Sequence, residues 1–182
     1  RLGNSGIIIV AKDADQVISY TLATKGEKPN ACFAACLVEP EYRSNGVGWQ
    51  QQRMLTQELI DAGYTTALAT VSPENRGNLP ILLNKLHLKV TDWVQDKYGD
   101  NENRFYIAGA LDLSKPCKSR YTIHPSNITI TDPKRAHEHG EPLLTPLDQA
   151  YDFSFIDFGR YHGTTVVRAP DGQQYVKFEP KH

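Results

Sequence analysis

The sequence predicts a fold of the α/β (α+β) class followed by a β-rich C-terminal extension. Two pairs of apolar runs are each separated by a short polar turn, which is typical of β-hairpins. Between the pairs, further apolar runs alternate with two patterns of helical spacing, which indicates strands and helices in turn. The hairpin runs lie at residues 7–11 with 16–22 and at 166–168 with 173–178, and the other strands at 31–38, 65–71, 90–94 and 105–110.

Two helices separate these strands. The first is predicted from about residue 47 to residue 62, because its apolar residues repeat on one side. Gly63 follows at the position where a glycine commonly ends a helix. The second helix runs over residues 79–86, with Asn78 as its N-cap and a proline in its first turn. The apolar side of the first helix carries Leu55, Leu59 and Ile60.

The C-terminal extension is a different kind of sequence. Ser114-Lys115-Pro116 marks the boundary, so we expect one domain at residues 1–112 and the extension at 113–182. Residues 121–123 and 127–131 have strand character. Residues 132–149 are rich in proline, glycine, histidine and charge, and should be irregular.

Composition limits the class of protein. The 182 residues suit one domain of ordinary size, or one with a small appendage. The net charge is −1 and no basic run forms a stripe, which disfavours nucleic-acid binding. No apolar segment approaches the roughly 20 residues that span a bilayer. The chain begins at Arg1 without a secretory signal, so we expect a cytoplasmic protein, either processed or truncated.

The cysteines favour free thiols. Cys32 and Cys36 lie four residues apart in a predicted strand, so they should share one face at a separation of roughly 13 Å. That distance excludes a disulfide between them. Buried free thiols in a reducing compartment are the expected state.

A glycine-bearing loop joins the strand at 31–38 to the first helix. It contains Arg43-x-x-Gly46-x-Gly48. Such a loop exposes backbone N–H groups beside the positive end of a helix dipole, which is a suitable site for an anion. The alternative is an ordinary strand–turn–helix connection, in which glycine only permits a tight turn.

This loop resembles the acyl-CoA-binding motif of the GCN5-related N-acetyltransferase (GNAT) family. The resemblance includes the preceding Val-x-Pro-x-Tyr-Arg and the amphipathic helix that follows. A second region, with the strand at 65–71, Ser72-Pro73-Glu74-Asn75 and the next helix, has the family's order. The resemblance covers residues 7–111. It implies a mixed, mostly antiparallel sheet with splayed central strands and flanking helices.

The resemblance also implies a ligand and a reaction. Coenzyme A would lie in a V-shaped gap between strands 31–39 and 65–72, without a metal. Acetyl-CoA would donate its acetyl group to an amine by direct attack. The residues implied for binding are Leu37 and Val38 beside the pantetheine arm, Arg43, Ser44, Asn45, Gly46, Val47 and Gly48 around the pyrophosphate, and Asn75.

The sequence departs from the family pattern at its catalytic positions. Many members have a tyrosine that protonates the thiolate, and Leu83 occupies that position here. Some members carry a glutamate base where Cys32 falls. Glu39 acting through water, with Glu41 nearby, and Ser72 as a donor to the thiolate are the substitutes we consider. Tyr98 and Tyr106 are further candidates for reaching the sulfur from the last two strands, but core or surface packing explains either residue better.

A second interpretation is a GNAT-like module that has lost catalysis and serves binding or assembly. The missing tyrosine, the absence of the family's first strand and two helices, and the unrecognised extension favour it. Retention of both Gly46 and Gly48 favours CoA binding. The expected partners are an amine acceptor, small molecule or protein, and a second copy or another protein bound through the extension. His137-Glu138-His139 lacks the spacing of a metal site, so none is expected.

Overall fold

The structure is a computed structural model that describes residues 6–100, 102–117, 138, 140–147, 153–154 and 156–181. The described residues form two compact units. The first comprises the chain up to Thr70 together with Ala108–Pro116, and the second comprises the remainder. The predicted domain boundary near residue 113 stays a prediction.

Four strands and one long helix make up most of the first unit. The strands are β1 (Gly6–Asp13), β2 (Gln16–Lys25), β3 (Asn30–Val38) and β4 (Thr66–Val71). They lie in the order β1-β2-β3-β4, with the first three antiparallel and β3 parallel to β4. The predicted N-terminal hairpin is therefore confirmed.

The long helix α1 (Val47–Asp61) begins and ends at glycines in the left-handed conformation. Gly46 precedes it at φ 82° and Gly63 follows it at φ 82°, as the sequence predicts for the C-terminal end. Leu55 and Leu59 are fully buried, and α1 packs against β1, β2 and β3. The same buried side also carries three polar residues, Gln51, Gln52 and Thr56.

A β-bulge in β3 corrects the prediction for the cysteines. Leu22 pairs with Ala35 and Ala23 pairs with Phe33, so Ala34 is an extra residue in β3. A bulge interrupts the alternation of side chains, so Cys32 and Cys36 face opposite sides of the sheet rather than one side. Both are half-buried free thiols, so the expectation of full burial was wrong.

The second unit contains two short helical segments and five strands. The helical segments are α2 (Asn78–Pro80) and a π-helical stretch at Ile81–Lys85. The strands lie in the order β6-β5-β8-β9-β7, and the pairs of β8 with β5, β8 with β9 and β9 with β7 are antiparallel. They are β5 (Lys89–Val94), β6 (Arg104–Ala110), β7 (Leu143–Pro146), β8 (Tyr161–Arg168) and β9 (Gln174–Pro180).

The start of the second helix differs from its prediction. Gly77, not Asn78, is the N-cap of α2. The side chain of Asn75 accepts a hydrogen bond from the backbone N–H of Asn78 at 3.0 Å. The side chain of Asn75 therefore caps the start of α2, a role that the sequence predicts for Asn78.

The core of the second unit contains a cluster of aromatic rings, and a buried asparagine of the helical segment is hydrogen-bonded to β8. The rings of Phe105 and Phe153 meet edge to face with centroids 4.7 Å apart, and Phe178 lies beside both. Asn84, which is buried, donates to the Val166 carbonyl oxygen at 2.7 Å and accepts from the Val166 N–H at 2.8 Å. The side chain thus binds β8 as a neighbouring strand would.

The predicted C-terminal hairpin is confirmed as β8 and β9, and the mostly antiparallel α+β class is confirmed with it. The predicted strands at 121–123 and 127–131, and half of the stretch at 132–149, lie outside the described residues. The prediction that 132–149 is irregular was wrong at residues 143–146, which form β7 and pair with β9. Within the part of the chain that the structure describes, no helix combines the length and apolarity needed to cross a bilayer.

Candidate functional site

The gap between two parallel strands is the central feature of the first unit. β3 and β4 pair only at their beginnings, from Asn30 with Thr66 to Phe33 with Ala69. β3 then continues to Val38, and on that side it pairs with no other strand in the part of the chain that the structure describes. The pairing stops where the Ala34 bulge begins, so the predicted splay of these strands is confirmed.

The open side of β3 presents the backbone of alternate residues. The N–H of Glu39 donates to the Ile18 carbonyl oxygen of β2 at 2.9 Å. Along a strand, the N–H and C=O groups of one residue point to the same side, and those of the next residue point to the other side. The backbone of Leu37, two residues before Glu39, therefore also faces β2. Cys36 and Val38 therefore face the side from which β4 has diverged. Of the two residues predicted to pair with pantetheine, Val38 has its backbone on that side, whereas Leu37 has an exposed side chain.

The N-terminus of α1 lies directly after the end of β3. A 3₁₀ turn at Pro40–Tyr42 leads into the predicted loop, in which Ser44 has φ 66° and Gly46 has φ 82°. Among the described residues no side chain caps α1, and no acidic residue occupies its first turn. The first N–H groups of a helix lack partners within the helix, so the predicted loop and helix present donors and a positive dipole end to an anion.

Two side chains hold this loop in place. Arg43 donates from Nε to the Val38 carbonyl oxygen at 2.9 Å, and its side chain stays exposed. Tyr42 donates to the Asp13 carboxylate at 2.7 Å. This hydrogen bond raises the pKa of the Tyr42 phenol above its ordinary value of 10.0. Arg43 therefore connects the predicted phosphate loop to the open end of β3.

Ser72 and Asn75 lie in the turn that follows β4, and both have local contacts. The hydroxyl oxygen of Ser72 accepts the Glu74 N–H at 3.3 Å, a contact that does not use its own proton. Asn75 is exposed and uses its carbonyl oxygen to accept from α2. Its NH2 group is not part of that contact. Both residues belong to the second unit.

The positions considered for catalysis fall in different environments. Glu39 is half-buried at the end of β3, and Glu41 is exposed. Leu83 is fully buried, so the position of the family tyrosine is part of the hydrophobic core here. The ammonium of Lys97 contacts the Tyr106 hydroxyl and lies 4.0 Å from the centre of its ring, and Tyr98 is 65% exposed.

Cys36 is the residue that the sequence interpretation missed. Its backbone faces the open side of β3. Burial raises the pKa of its thiol, and side-chain hydrogen bonds with Gln52 and Thr21 partly oppose that rise. Only the bulge at Ala34 gives Cys36 this orientation. A run of alanines and cysteines contains no signal that would place a bulge.

The described residues contain no group of three histidine, cysteine, aspartate or glutamate side chains positioned for a metal. His137 and His139 of the histidine pair lie outside the described residues, and Glu138 between them is exposed. The expectation that the protein uses no metal stays a prediction.

No protein-family model matches this sequence, and no curated protein matches it. Many solved structures do share its fold. The ribosomal-protein alanine N-acetyltransferase from Escherichia coli has a TM-score of 0.54 at 17% identity, over 65% of this chain and 76% of that one. Ard1 from Thermoplasma volcanium has a TM-score of 0.53 at 16% identity, over 57% of this chain and 69% of that one.

A GNAT family acetyltransferase from Elizabethkingia anophelis, solved with acetyl-CoA bound, has a TM-score of 0.52 at 15% identity. It matches over 58% of this chain and 76% of its own. The chain therefore has a GNAT-like fold over more than half of its length, as the resemblance of its motif implies. At these identities the likeness concerns the fold.

Proposed function

We propose that this protein is an acyl-CoA-dependent N-acetyltransferase that moves an acetyl group from acetyl-CoA to an amine. The observation that carries the proposal is the open backbone of β3 ending at the uncapped N-terminus of α1. One extended ligand with an amide-bearing arm and a pyrophosphate matches both features. Similar folds solved with coenzyme A or acetyl-CoA bound support that ligand.

Binding would use backbone groups at both ends of the ligand. The pantetheine arm would pair with the N–H and C=O groups of Cys36 and the N–H of Val38, with the Leu37 side chain alongside. The pyrophosphate would accept from N–H groups of residues 44–48, which include Ser44, Asn45 and Val47, while the N–H of Arg43 donates to the Pro40 carbonyl oxygen at 3.2 Å. Backbone donors fixed by the fold need no reorganisation when an anion arrives.

The chemistry would be direct attack. The amine nitrogen forms a bond to the thioester carbonyl carbon while the bond from carbon to sulfur breaks. The amine loses a proton and the thiolate gains one. Glu39 would receive the amine proton through a water molecule, and water would supply the proton that the thiolate gains.

A thiol-release assay with acetyl-CoA and a panel of amines tests this function. The panel should contain amino acids, polyamines, aminoglycosides, and peptides with a free N-terminus or lysine. We expect at least one amine to release CoA in proportion to an acetylated product seen by mass spectrometry. Glu39→Gln should lower kcat more than it weakens CoA binding, with Glu41→Gln as the matched control. Equal kcat for Glu39→Gln would remove Glu39 from the mechanism.

The second candidate is a GNAT-like module that binds CoA or a protein partner without catalysis. The burial of Leu83 at the position of the family tyrosine favours it, since no hydroxyl can act from there. Acetyl-CoA binding without transfer to any amine in the panel would support this candidate. A homodimer or another protein bound through the extension stays a proposal, which sedimentation of the purified chain would test.

A further inference from the structure

Two buried hydroxyls bond the open segment of β3 from the neighbouring strand. Ser19 of β2 donates to the Leu37 carbonyl oxygen at 2.7 Å, and Thr21 donates to the Ala35 carbonyl oxygen at 3.0 Å. Ser19 is 1% exposed and Thr21 is 0% exposed. Both side chains lie on the side of the sheet that α1 covers. We call Ser19 and Thr21 the hydroxyl pair.

The hydroxyl pair bonds the segment of β3 that no longer pairs with β4. Beyond Phe33, β3 has ended its pairing with β4, and the Ala34 bulge interrupts its register with β2. Ladder hydrogen bonds from β2 hold this segment on one side only. The hydroxyl pair adds a bond to the carbonyl oxygens of the residues on either side of Cys36, whose backbone faces the gap.

Helix α1 is connected to the same contact. The Ser19 hydroxyl also contacts the side-chain carboxamide of Gln51, which is 3% exposed. A hydroxyl has one proton, so Ser19 cannot donate to two oxygens at once. If the Gln51 NH2 group faces Ser19, a chain of donors runs from Gln51 to Ser19 to the Leu37 carbonyl. In the opposite orientation of the carboxamide, Gln51 Nε2 lies 3.5 Å from the Ile9 carbonyl oxygen. That distance is at the long limit of a hydrogen bond, so this contact gives the opposite orientation little advantage.

These contacts are poorly explained by stability alone. Valine or isoleucine on this buried face would remove more apolar surface from water than serine or threonine does. A buried hydroxyl costs free energy unless it is hydrogen-bonded. The arrangement uses polar groups where apolar ones would suffice for packing, and each group bonds a carbonyl of the one strand segment that must stay open.

We propose that Ser19 and Thr21, with Gln51, are positioning residues that fix the open backbone of β3 relative to α1 for the ligand. This inference rests on the proposed function for the identity of the ligand, but the positioning itself is independent of it. The hydroxyl pair would act through β3 and would not contact the ligand.

Hydrogen exchange and CoA titration of four variants test the proposal. Ser19→Ala and Thr21→Val each remove one bond to β3. Thr56→Val is the matched control, because its buried hydroxyl bonds the Gln52 carbonyl oxygen within α1 at 2.7 Å. We expect the two β2 variants to speed amide exchange in residues 35–38 about tenfold and to weaken CoA binding about tenfold, or 1.4 kcal/mol. Thr56→Val should do neither, and Thr21→Ser should restore both.

The outcomes separate the two claims. Unchanged exchange at residues 35–38 in Ser19→Ala and in Thr21→Val would overturn the positioning role. Equal CoA affinity in all variants would also overturn it, even if the variants unfold at lower temperature. A wild-type protein that binds no CoA would remove the proposed function, while exchange at 35–38 would still decide whether the hydroxyl pair holds β3.

Discussion

Two glycines two residues apart should respond to alanine with opposite changes in stability. Gly46 has φ 82°, and a Cβ there would meet no atom within 4 Å. Its substitution therefore costs backbone strain alone, roughly 1–2 kcal/mol for a left-handed residue. Loss of glycine's freedom in the unfolded chain returns about 0.4–1 kcal/mol. The net expectation for Gly46→Ala is a loss of about 1 kcal/mol.

Gly48 lies inside the first turn of α1 and has no positive φ. Alanine in a helix is favoured over glycine by roughly 0.5–1 kcal/mol, so Gly48→Ala should unfold at a higher urea concentration than wild type. Its Cβ should nevertheless weaken CoA binding, since the proposed pyrophosphate site adjoins the backbone of this residue. Gly48→Trp should abolish binding while the fold persists.

Urea unfolding followed by circular dichroism measures both changes, and calorimetric titration measures CoA binding. A Gly46→Ala protein as stable as wild type would refute the strain argument. A Gly48→Ala protein that binds CoA as tightly as wild type does would show that this glycine has no role in ligand binding.

Two further substitutions test the packing of the second unit, and one labelling reaction tests the cysteine thiols. Asn84→Ala should lower the free energy of unfolding by about 3 kcal/mol, because it leaves the buried N–H and C=O groups of Val166 unpaired. Gly163→Ala should lower it by about 1–3 kcal/mol, since the new Cβ would lie 2.9 Å from a valine of β5. With a thiol reagent at pH 8, the exposed Cys117 should react before Cys36, whose pKa burial raises above 9.0.

The results that contradict these expectations are specific. A loss below about 0.5 kcal/mol for Asn84→Ala, the size of an ordinary surface change, would mean that water replaces the bonds to β8. An unchanged midpoint for Gly163→Ala would mean that β5 and β8 separate at little cost. Because a raised pKa keeps the Cys36 thiol mostly neutral at pH 8, its labelling rate should increase steadily as the pH is raised. Equal labelling rates at pH 8 would contradict its burial.

The sequence predicts the loop and the strand order well, because short-range patterns define both. Arg43, Gly46 and Gly48 are spaced within a few residues, and the structure places Arg43 and Gly46 between β3 and α1 and Gly48 in the first turn of α1. The two hairpins follow from alternating apolar runs and turn residues in the same way.

The sequence does not predict features that depend on distant contacts. The Ala34 bulge falls in a run of small residues whose alternation looks uniform, so the orientation of Cys36 could not be read from it. Polar residues on a helix are expected to face solvent, which hides the buried Gln51. Asn84 contacts Val166 across 82 positions of sequence, and no local pattern indicates that contact.

The most direct test of the central claim is isothermal titration of the purified chain with acetyl-CoA, with CoA and NAD as comparison ligands. We expect acetyl-CoA and CoA to bind with a micromolar Kd, about −8 kcal/mol, and NAD to bind far more weakly. If folded protein gives no binding heat with millimolar acetyl-CoA at two temperatures, the proposal that coenzyme A binds in the gap between β3 and β4 is contradicted.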